Sequence, residues 1–557
     1  MMRLLTIPVI LAGLAAAAVY WSNDASGQQR ADFAFINRGD NKCLDPNGMS
    51  WMQDIRIAYG LWEGLYPLDP KTLEPILGCA DRATTDPTRT IWTIHIRPDA
   101  RWSNGDPVRA GDFLFAWRRF LETPGEYTYL HGYIRGAKKY AADFADYLAA
   151  KRSGAQISPP DFSAVGEKAL DDNTLVVTLT DPVPFFPSLL AFPAFFPMHE
   201  ASMRPFLESD GLHFNLDFTR PPHLVTNGPY RLAQWSFKRR LRMVASDFYW
   251  NRANVKSRVI DQIYADDGLA AYRIYERGDA DWISDVEPSL AAQMLAAGGR
   301  NDLHVFPAFG TYFYSLNCGP ALPDGRKNPL ADVRVRQALA MSIDREPIVR
   351  NVGRLGQPPS FTYIPPGVFA GYTSPHGLPY DVSAAQKLLA DAGYPGGRGF
   401  PSISILYSSE GFHGDVAQII RRQWQANLGI DMRLEGVEVK VFGADLHTQQ
   451  YDIARAGWYG DYHDPTTFTD KYKSDSDEND SKWANPEYDR LCAQAQREAD
   501  PARRMQLLSQ AEKVLLHEAP IIPLFTYVNA YLFRPNVKGI ALAANGTVMF
   551  NAVQVIH

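Results

Sequence analysis

The segment Asp452–Thr467 holds the residues of this chain that are best suited to bind a charged small molecule. It reads DIARAGWYGDYHDPTT, and its first half has the small and β-branched residues of a packed strand. The second half begins with Trp458 and Tyr459 and contains Asp461. A carboxylate among aromatic side chains suits a ligand's ammonium group, because the rings exclude water and the carboxylate supplies the opposite charge. With no ligand to bind, Asp461 would be an ordinary acid of a surface turn and Trp458 a core residue.

Arg455 is the second charged residue of interest, because it interrupts an otherwise apolar strand. A buried arginine needs a partner. The partner of Arg455 could be either a carboxylate of the ligand or a structural acid such as Asp452. Gly457 has no side chain and would let a ligand's backbone approach the strand closely.

Catalysis is not indicated by any motif. The chain has no GxSxG, HExxH or GxxxxGK[ST] sequence, and the acidic run Asp475–Asp480 lacks the glycine and distal glutamate of an EF-hand. No cofactor and no metal are therefore expected. The formal net charge is −6 and there is no basic stripe, which argues against nucleic acid as a partner.

The N-terminus predicts export from the cytoplasm. One arginine precedes the apolar run Leu4–Trp21, and polar residues follow. The run is near the lower length limit for spanning a bilayer, so residues 1–30 are predicted to be either a cleaved signal peptide or a single uncleaved anchor. The rest of the chain is expected in the periplasm or another extracytoplasmic space, free or tethered.

The cysteines show no metal-binding spacing; they are Cys43, Cys79, Cys318 and Cys492. In an oxidising compartment Cys43 and Cys79 could form a disulfide. Buried free thiols are the equally open alternative.

Strand and helix patterns alternate along the chain, which predicts an α/β fold. Ile91–Ile96 alternates with period two, as a strand does, and Asp332 and Asp381 each precede an amphipathic helix as a cap. A length of 557 residues exceeds one ordinary core, so two or three lobes are expected. No clean linker separates them, which indicates lobes made of discontinuous segments.

Five further segments resemble signatures of extracellular solute-binding family five, which includes the dipeptide and oligopeptide receptors of ABC importers. They are RPDARWSNGDPVRAGDFLFAWRR (Arg97–Arg119), TNGPYRLAQW (Thr226–Trp235), SDFYWN (Ser246–Asn251), PLADVRVRQALAMSIDREPIV (Pro329–Val349) and PYDVSAAQKLLADAGYPGG (Pro379–Gly397). The resemblance covers essentially everything after the N-terminal segment. The stretch that contains Asp461 is similar to the oligopeptide-binding branch.

This resemblance implies the two-lobe hinge fold of periplasmic binding proteins, type II and cluster C, with an additional third lobe. Lobe I would combine residues 31–62, 200–310 and 527–557. Lobe II, the additional one, would be residues 63–199, and lobe III residues 311–526. The hinge would lie near residues 310 and 526, and closure would be a rigid-body motion that buries the ligand.

The resemblance also implies which residues bind the ligand. The matching positions are Asp461, Trp458, Tyr459, Gly457, Arg455, His413, Tyr127 and Met52. Asp461 would hold the ammonium group of the ligand, whereas Arg455 and His413 would meet a carboxylate.

Several positions depart from the pattern of the family. Ser50 stands where close relatives have a glutamate near the amine site, with Asp54 as a candidate substitute. Leu446, Val439 and Gly353 replace a basic residue, a tryptophan and a lysine, respectively. These departures affect the expected length and type of ligand.

The expected function is that of a monomeric binding protein of an ABC transporter. It would capture oligopeptides between two lobes, without catalysis, and deliver them to permease subunits in the membrane. A receptor indifferent to side chains should pair the extended peptide backbone like an added strand. The alternative is a membrane-anchored sensor, or a receptor for murein peptides, sugars or another non-peptide solute, on the same fold.

Overall fold

The computed structural model describes residues 30–37, 39–265, 267–298 and 300–557. The apolar run Leu4–Trp21, predicted to be a signal peptide or an anchor, lies outside these residues. Among the residues described, no helix combines the length and the apolar character needed to cross a membrane.

The strands of the fold are numbered in chain order. They are Phe33–Ile36 (β1), Ala80–Thr85 (β2), Ile91–Ile96 (β3), Glu167–Asp171 (β4), Thr174–Thr178 (β5), Tyr230–Ser236 (β6), Arg240–Ala245 (β7), Val259–Ile263 (β8), Trp282–Ile283 (β9), Leu303–Leu316 (β10), Ser404–Ser408 (β11), Arg433–Val437 (β12), Ile453–Tyr459 (β13), Ile521–Phe533 (β14), Val537–Lys538 (β15) and Gln554–Val555 (β16).

The α-helices are numbered in the same way. They are Met52–Leu61 (α1), Ala110–Glu122 (α2), Ala137–Arg152 (α3), Phe186–Leu190 (α4), Glu200–Met203 (α5), Gly268–Glu276 (α6), Pro288–Ala296 (α7), Val333–Met341 (α8), Glu346–Ile348 (α9), Val382–Asp391 (α10), His413–Leu428 (α11), Val439–His447 (α12), Thr466–Thr469 (α13), Pro486–Arg497 (α14) and Pro501–Glu518 (α15).

One ten-stranded mixed sheet runs through most of the molecule, in the order β12-β11-β13-β10-β14-β9-β1-β8-β7-β6. On one side β1 pairs in parallel with β8 and β9. On the other side β11 pairs in parallel with β12 and β13. The antiparallel pair of β10 and β14 joins the two sides, so both halves of the fold share one continuous sheet.

The pairing of β10 with β14 is interrupted in the middle. Residues Leu303–Pro307 of β10 pair with one part of β14, and pairing resumes only at Thr311. This break falls where the sequence places the hinge. Hinges are short stretches that absorb backbone rotation, and a gap in ladder hydrogen bonds is where rotation costs least. The hinge and the lobe boundaries remain predictions.

A separate four-stranded antiparallel sheet, in the order β2-β3-β5-β4, lies within the segment predicted as lobe II. Helix α2 packs beside it, and in its first turn the Asp112 carboxylate accepts from the Arg109 backbone N–H at 2.8 Å. The same carboxylate accepts from the Trp102 indole at 3.0 Å. These two bonds fix the loop before α2 to the first turn of the helix, within the family-like segment Arg97–Arg119.

The large core of this half of the molecule is shared between predicted lobes I and II. It contains Phe33 and Trp62 together with Trp117 and Phe195. The segment predicted as lobe II is therefore packed onto the segments predicted as lobe I through a common apolar cluster.

Most predicted elements are present, but several helices have no counterpart in the sequence analysis: α1, α3, α7, α12 and α14. Helix α1 is the one that carries a predicted site residue, Met52. The strand Ile91–Ile96 and the caps Asp332 and Asp381 are confirmed. Every residue of α1 after Met52 is buried, polar ones such as Asp54 included, so the helix has no solvent-exposed face. Without an amphipathic stripe, no helical period is visible in the sequence.

All four cysteines are free thiols in the structure, so no disulfide joins Cys43 to Cys79. Cys79 is fully buried, and burial together with nearby Asp45 raises the pKa of the Cys43 thiol to about 11.

We expect four reactive thiols per chain once the protein is denatured without reductant. In the native protein these thiols should react slowly with a thiol reagent, because the thiolate is the reactive form and burial disfavours it. Titration with a colorimetric thiol reagent, with and without guanidinium, measures both quantities. Two thiols in the denatured, unreduced protein would mean that a disulfide exists.

Candidate ligand-binding site

Strand β13 carries the predicted site residues into the middle of one half of the large sheet, between β10 and β11. Successive side chains of a strand point to opposite faces, so Arg455, Gly457 and Tyr459 share one face. Ala454 and Ala456 lie on the other face and are buried. The strand therefore presents a charged, a small and an aromatic residue together.

Arg455 lies in a pocket of tyrosines. Its Nη2 donates to the Tyr527 hydroxyl at 2.9 Å, and its guanidinium lies 4.9 Å from the centre of the Tyr312 ring. The ring of Tyr459 stacks on Tyr527 with centroids 4.7 Å apart. His413, at the start of α11, places Nδ1 3.2 Å from the Tyr312 hydroxyl. The structure thus brings Arg455, His413 and Tyr459 together.

The structural-acid alternative for Arg455 is wrong. Asp452 instead accepts from the backbone N–H and the hydroxyl of Ser404, at 2.9 and 3.3 Å. Within the residues that the structure describes, Arg455 forms no salt bridge. A cation that is mostly enclosed and has only tyrosine partners can receive an anion from outside the chain.

His413 contributes a neutral imidazole to this pocket. Burial and the neighbouring charge of Arg455 lower the pKa of His413 to about 3. The positive charge of the pocket therefore comes from Arg455 alone near neutral pH.

Gly457 has a different neighbour from the one expected. A Cβ at this position would lie 2.4 Å from the Tyr527 hydroxyl oxygen. The absent side chain thus makes room for Tyr527, and a role of Gly457 towards a ligand stays a prediction.

Asp461 lies two residues beyond the end of β13. There it contacts the segment predicted as lobe II, through Tyr129. Its carboxylate accepts a hydrogen bond from the Tyr129 hydroxyl, and its backbone N–H donates to Thr467 Oγ1 at 2.9 Å. Burial, together with nearby Glu478 and Glu126, raises the pKa of Asp461 to about 6, and the bond from Tyr129 opposes this rise. Asp461 is surrounded by protein yet retains intermediate solvent exposure, as expected for an acid that faces a cleft.

Tyr129 was missed by the sequence reading, which named Tyr127. Tyr127 immediately precedes the 3₁₀ segment Thr128–Tyr133, and Tyr129 is the second residue of that segment. Tyr127 packs edge-on against Phe192 with ring centroids 4.8 Å apart, and its pKa is raised by burial and by the charge of Asp461. Tyr127 is therefore near the acid, but Tyr129 makes the hydrogen bond. Two tyrosines at a spacing of two could not be distinguished without the 3₁₀ turn.

Other contacts join the same two segments. The Tyr133 hydroxyl donates to Asp470 at 2.7 Å and lies 3.2 Å from the Tyr462 hydroxyl. The ring of Tyr462 stacks on Phe185 with centroids 4.8 Å apart. The region around Asp461 is thus closed on one side by direct protein contacts.

Trp458 is anchored by its own half of the fold. Its indole N–H donates to the Thr467 carbonyl at 2.8 Å, and the Lys471 ammonium lies 4.8 Å from its ring centre. Trp458 is half-buried, so packing accounts for much of its position.

Met52 lies on a separate element, as the first residue of α1. Asp54, two residues later, is fully buried and accepts from the backbone N–H groups of Lys42 and Cys43, at 2.9 and 3.3 Å. The hypothesis that Asp54 substitutes for the acid missing at Ser50 is therefore wrong. Asp54 orders the loop that leads into α1.

The positions that depart from the family pattern also have local explanations. A side chain at Gly353 would meet the Gln357 amide, whose Oε1 would lie 2.4 Å from the added Cβ. Leu446 packs against the small cluster around Phe442 and Leu406. Val439 begins α12 and is 42 % exposed.

Comparisons with known proteins agree with this geometry. The profile of the bacterial extracellular solute-binding proteins, family 5 (middle region), matches residues 74–480, which is well over half of the chain. The chain belongs to this family. It is therefore a solute-binding protein and not an enzyme.

Two similar proteins are named oligopeptide-binding proteins, and a third is named a murein peptide-binding protein. The chain is 30 % identical to the periplasmic oligopeptide-binding protein OppA of Salmonella typhimurium over 544 residues, which cover 96 % of this chain and 95 % of OppA. It is 31 % identical to the periplasmic murein peptide-binding protein MppA of Escherichia coli over 509 residues, covering 89 % and 88 % of the two chains. OppA of Escherichia coli is 32 % identical over 512 residues, with 90 % and 88 % coverage.

Solved structures of this family have the same fold. The unliganded open form of MppA superposes with a TM-score of 0.76 at 28 % identity, covering 95 % of this chain and 98 % of that one. Haemophilus influenzae OppA in complex with the peptide RPPGFSPFR gives a TM-score of 0.73 at 28 % identity, covering 95 % and 100 %. The fold is that of the cluster C periplasmic binding proteins, as the sequence predicted.

A buried ion pair fixes the loop that carries Asp461. Arg504 on α15 donates to both oxygens of Asp464, each at 2.7 Å, and both side chains are almost fully buried. The pair ties this loop to the longest helix of its half.

We expect Arg504→Gln to lower the free energy of unfolding by about 3 kcal/mol, because it leaves the Asp464 carboxylate buried without its partner. Urea denaturation followed by tryptophan fluorescence measures the change. Arg503→Gln, at the neighbouring exposed position, is the matched control and should stay within about 0.5 kcal/mol of wild type. Equal effects of the two substitutions would contradict a structural role for the pair.

Proposed function

We propose that this protein is the substrate-binding component of an ABC importer, which captures oligopeptides between two lobes and delivers them to permease subunits of the membrane. The support is the likeness in sequence and fold to proteins named as oligopeptide-binding over almost their whole length. The observation that carries the proposal is the pair of opposite charges, Asp461 and Arg455, beside one strand.

The amino end of a peptide would meet Asp461. A free α-ammonium group that is buried without an acid costs several kcal/mol, so a receptor that encloses it needs a carboxylate. Asp461 has a hydroxyl partner in Tyr129 and no ionic partner in the part of the chain described. Trp458 and Tyr459 would flank the backbone next to it.

A carboxylate of the ligand would meet Arg455. This guanidinium is surrounded by tyrosine hydroxyls and rings and has free N–H donors, since its Nε lacks a partner among the described residues. The neutral His413 supplies a hydrogen-bonding group beside it without adding charge. Between the two charges, the peptide backbone would pair like an added strand.

Closure would bring Met52 and Tyr127 of the first two lobes towards β13. The proposed motion is a rotation about the break in pairing between Pro307 and Thr311. Binding energy would then come from contacts made only in the closed form.

A receptor for murein peptides is the second candidate. The likeness to MppA is as extensive as the likeness to OppA, and Ser50 replaces an acid expected at the amine site. Comparison of the murein tripeptide with ordinary tri- to pentapeptides, by calorimetry, separates the two candidates. Tighter binding of the murein peptide would select the second.

We expect Asp461→Asn to weaken the binding of peptides with a free amino end about 100-fold, which corresponds to about 3 kcal/mol. The substitution keeps the size of the side chain and its bond with Tyr129 but removes the charge. Isothermal titration calorimetry with a library of short peptides measures the loss. Asp146→Asn, on an exposed face of α3, is the control and should bind as wild type does.

Acetylation of the peptide gives an independent test of the same contact. The wild type should bind N-acetylated peptides far more weakly than free ones, whereas Asp461→Asn should hardly distinguish the two. If the wild type bound both forms equally, Asp461 would not be the amine partner.

Peptide affinity should depend on pH between 5 and 7. The pKa of Asp461 is raised to about 6 in the free protein, and the bound ammonium lowers it again, so the ionised form binds. Affinity should therefore be complete above pH 7 and fall by up to about tenfold per unit as the pH drops below 6. Titrations at several pH values measure this, and the Asp461→Asn variant should lack the dependence.

A further inference from the structure

Besides β10 and β14, a third segment of the chain crosses the level of the predicted hinge. Residues 353–360, here called the strap, lie along the edge of β14 that faces away from β10. The Thr526 backbone N–H donates to the Pro358 carbonyl at 3.0 Å, and the Ser360 N–H donates to the Leu524 carbonyl at 2.9 Å. These bonds fix the later part of the strap to β14 at the end of predicted lobe III.

The earlier part of the strap reaches the other side of the hinge. Pro359 lies opposite Phe525 in an antiparallel bridge, so the residues before Pro359 run beside the part of β14 that follows Thr526. There Leu355 is 6 % exposed and belongs to an apolar cluster with residues such as Ile283 and Leu532. Every other described member of that cluster comes from the segments predicted as lobe I.

The backbone around Leu355 is held in one shape. Arg354 and Gly356, on either side of it, have φ values of 57° and 72°. The Arg354 N–H donates to the Val349 carbonyl at 2.9 Å, and the Leu355 N–H donates to Gln357 Oε1 at 3.0 Å. A residue other than glycine keeps a left-handed backbone only where its surroundings fix it. The strap is therefore an ordered connection between the two halves.

The strap is too short to follow a wide separation of the halves. The chain from Leu355 to Pro358 reaches at most about 11 Å when it is fully extended. A rotation that parts the halves on this edge of β14 must therefore stretch the strap and then withdraw Leu355 into water. Burial favours the enclosed form of a leucine side chain by a factor of roughly ten to a hundred.

We propose that the strap limits how far the two halves open, with Leu355 as its anchor in predicted lobe I. The ligand-free protein then stays within a narrow range of opening, and a ligand has a short rotation left to complete. This inference rests on the proposed function in one respect, which is that the halves rotate about the break between Pro307 and Thr311.

The test measures the distance between the two ends of the large sheet by pulsed electron paramagnetic resonance. Spin labels are attached at Arg231→Cys in edge strand β6 and at Lys440→Cys just after edge strand β12, both exposed positions. The native cysteines are replaced by alanine. Without ligand, Leu355→Ala should shift the distances to larger values and broaden their distribution. An unchanged distribution would overturn the proposal.

Val352→Ala is the matched control. Val352 lies three residues before Leu355 and packs against the apolar cluster of its own half. This substitution also shortens an aliphatic side chain next to the strap, but it leaves the anchor in place, so the distances should stay as in wild type. Equal shifts in the two variants would mean general loosening of the fold and would contradict a role for the anchor.

A longer strap gives a second test, which keeps Leu355. Two glycines inserted after Gly356 add up to about 7 Å of reach. Gly356 is exposed, and a Cβ built there meets no atom within 4 Å, so the site has room for the insertion. This variant should open further than wild type without ligand. If Leu355→Ala does not fold, the insertion alone decides, and wild-type distances in it would overturn the proposal.

A mixture of tri-, tetra- and penta-alanine separates this inference from the proposed function. The mixture should shorten the distance in wild type, and the variants should reach the same short distance. No shortening in wild type would contradict the proposed closure, while larger ligand-free distances in Leu355→Ala would still support the strap. Shortening in wild type, with equal ligand-free distances in wild type and Leu355→Ala, would overturn the strap alone.

Discussion

The antiparallel pairing of β10 with β14 is the constraint on which the architecture depends. These two strands are the longest of the fold, and every strand of the large sheet is connected through them. Main-chain hydrogen bonds hold their outer parts, while the pairing stops between Pro307 and Thr311. The two halves are thus held to each other by backbone bonds that need no particular side chain.

The candidate site contains two residues of opposite charge, Asp461 and Arg455, that do not pair with each other. Asp461 has tyrosine and threonine partners, and Arg455 has tyrosine partners, yet neither forms an ion pair in the part of the chain described. In the same half, Arg504 and Asp464 are a buried pair of charges that neutralise each other. Under the proposed function, the charged ends of a bound peptide would compensate the cost of burying Asp461 and Arg455.

The sequence predicted the fold class, most strands and the location of the charged residues, because these have local signals. Alternation marked Ile91–Ile96, capping acids marked the helix starts, and the acid after β13 stood among aromatic residues. Residues that contact Asp461 and Arg455 from distant parts of the chain could not be predicted in this way. Tyr129 and Tyr527 reach the site from segments hundreds and tens of residues away, and α1 is buried on all sides. Asp54 was misread because its partners, the backbone N–H groups of a loop, are invisible in a sequence.

The contacts that close the region around Asp461 have a consequence for selectivity. The stacking of Phe185 on Tyr462 and the hydrogen bond from Tyr133 to Asp470 are made entirely between protein side chains. If the lobes close as proposed, the contribution of these contacts to the equilibrium between open and closed forms is identical for every ligand. Such contacts raise the closed population and strengthen all ligands by one common factor, without changing the ratio between any two of them. A receptor that obtains part of its affinity in this way can remain a generalist and still bind tightly.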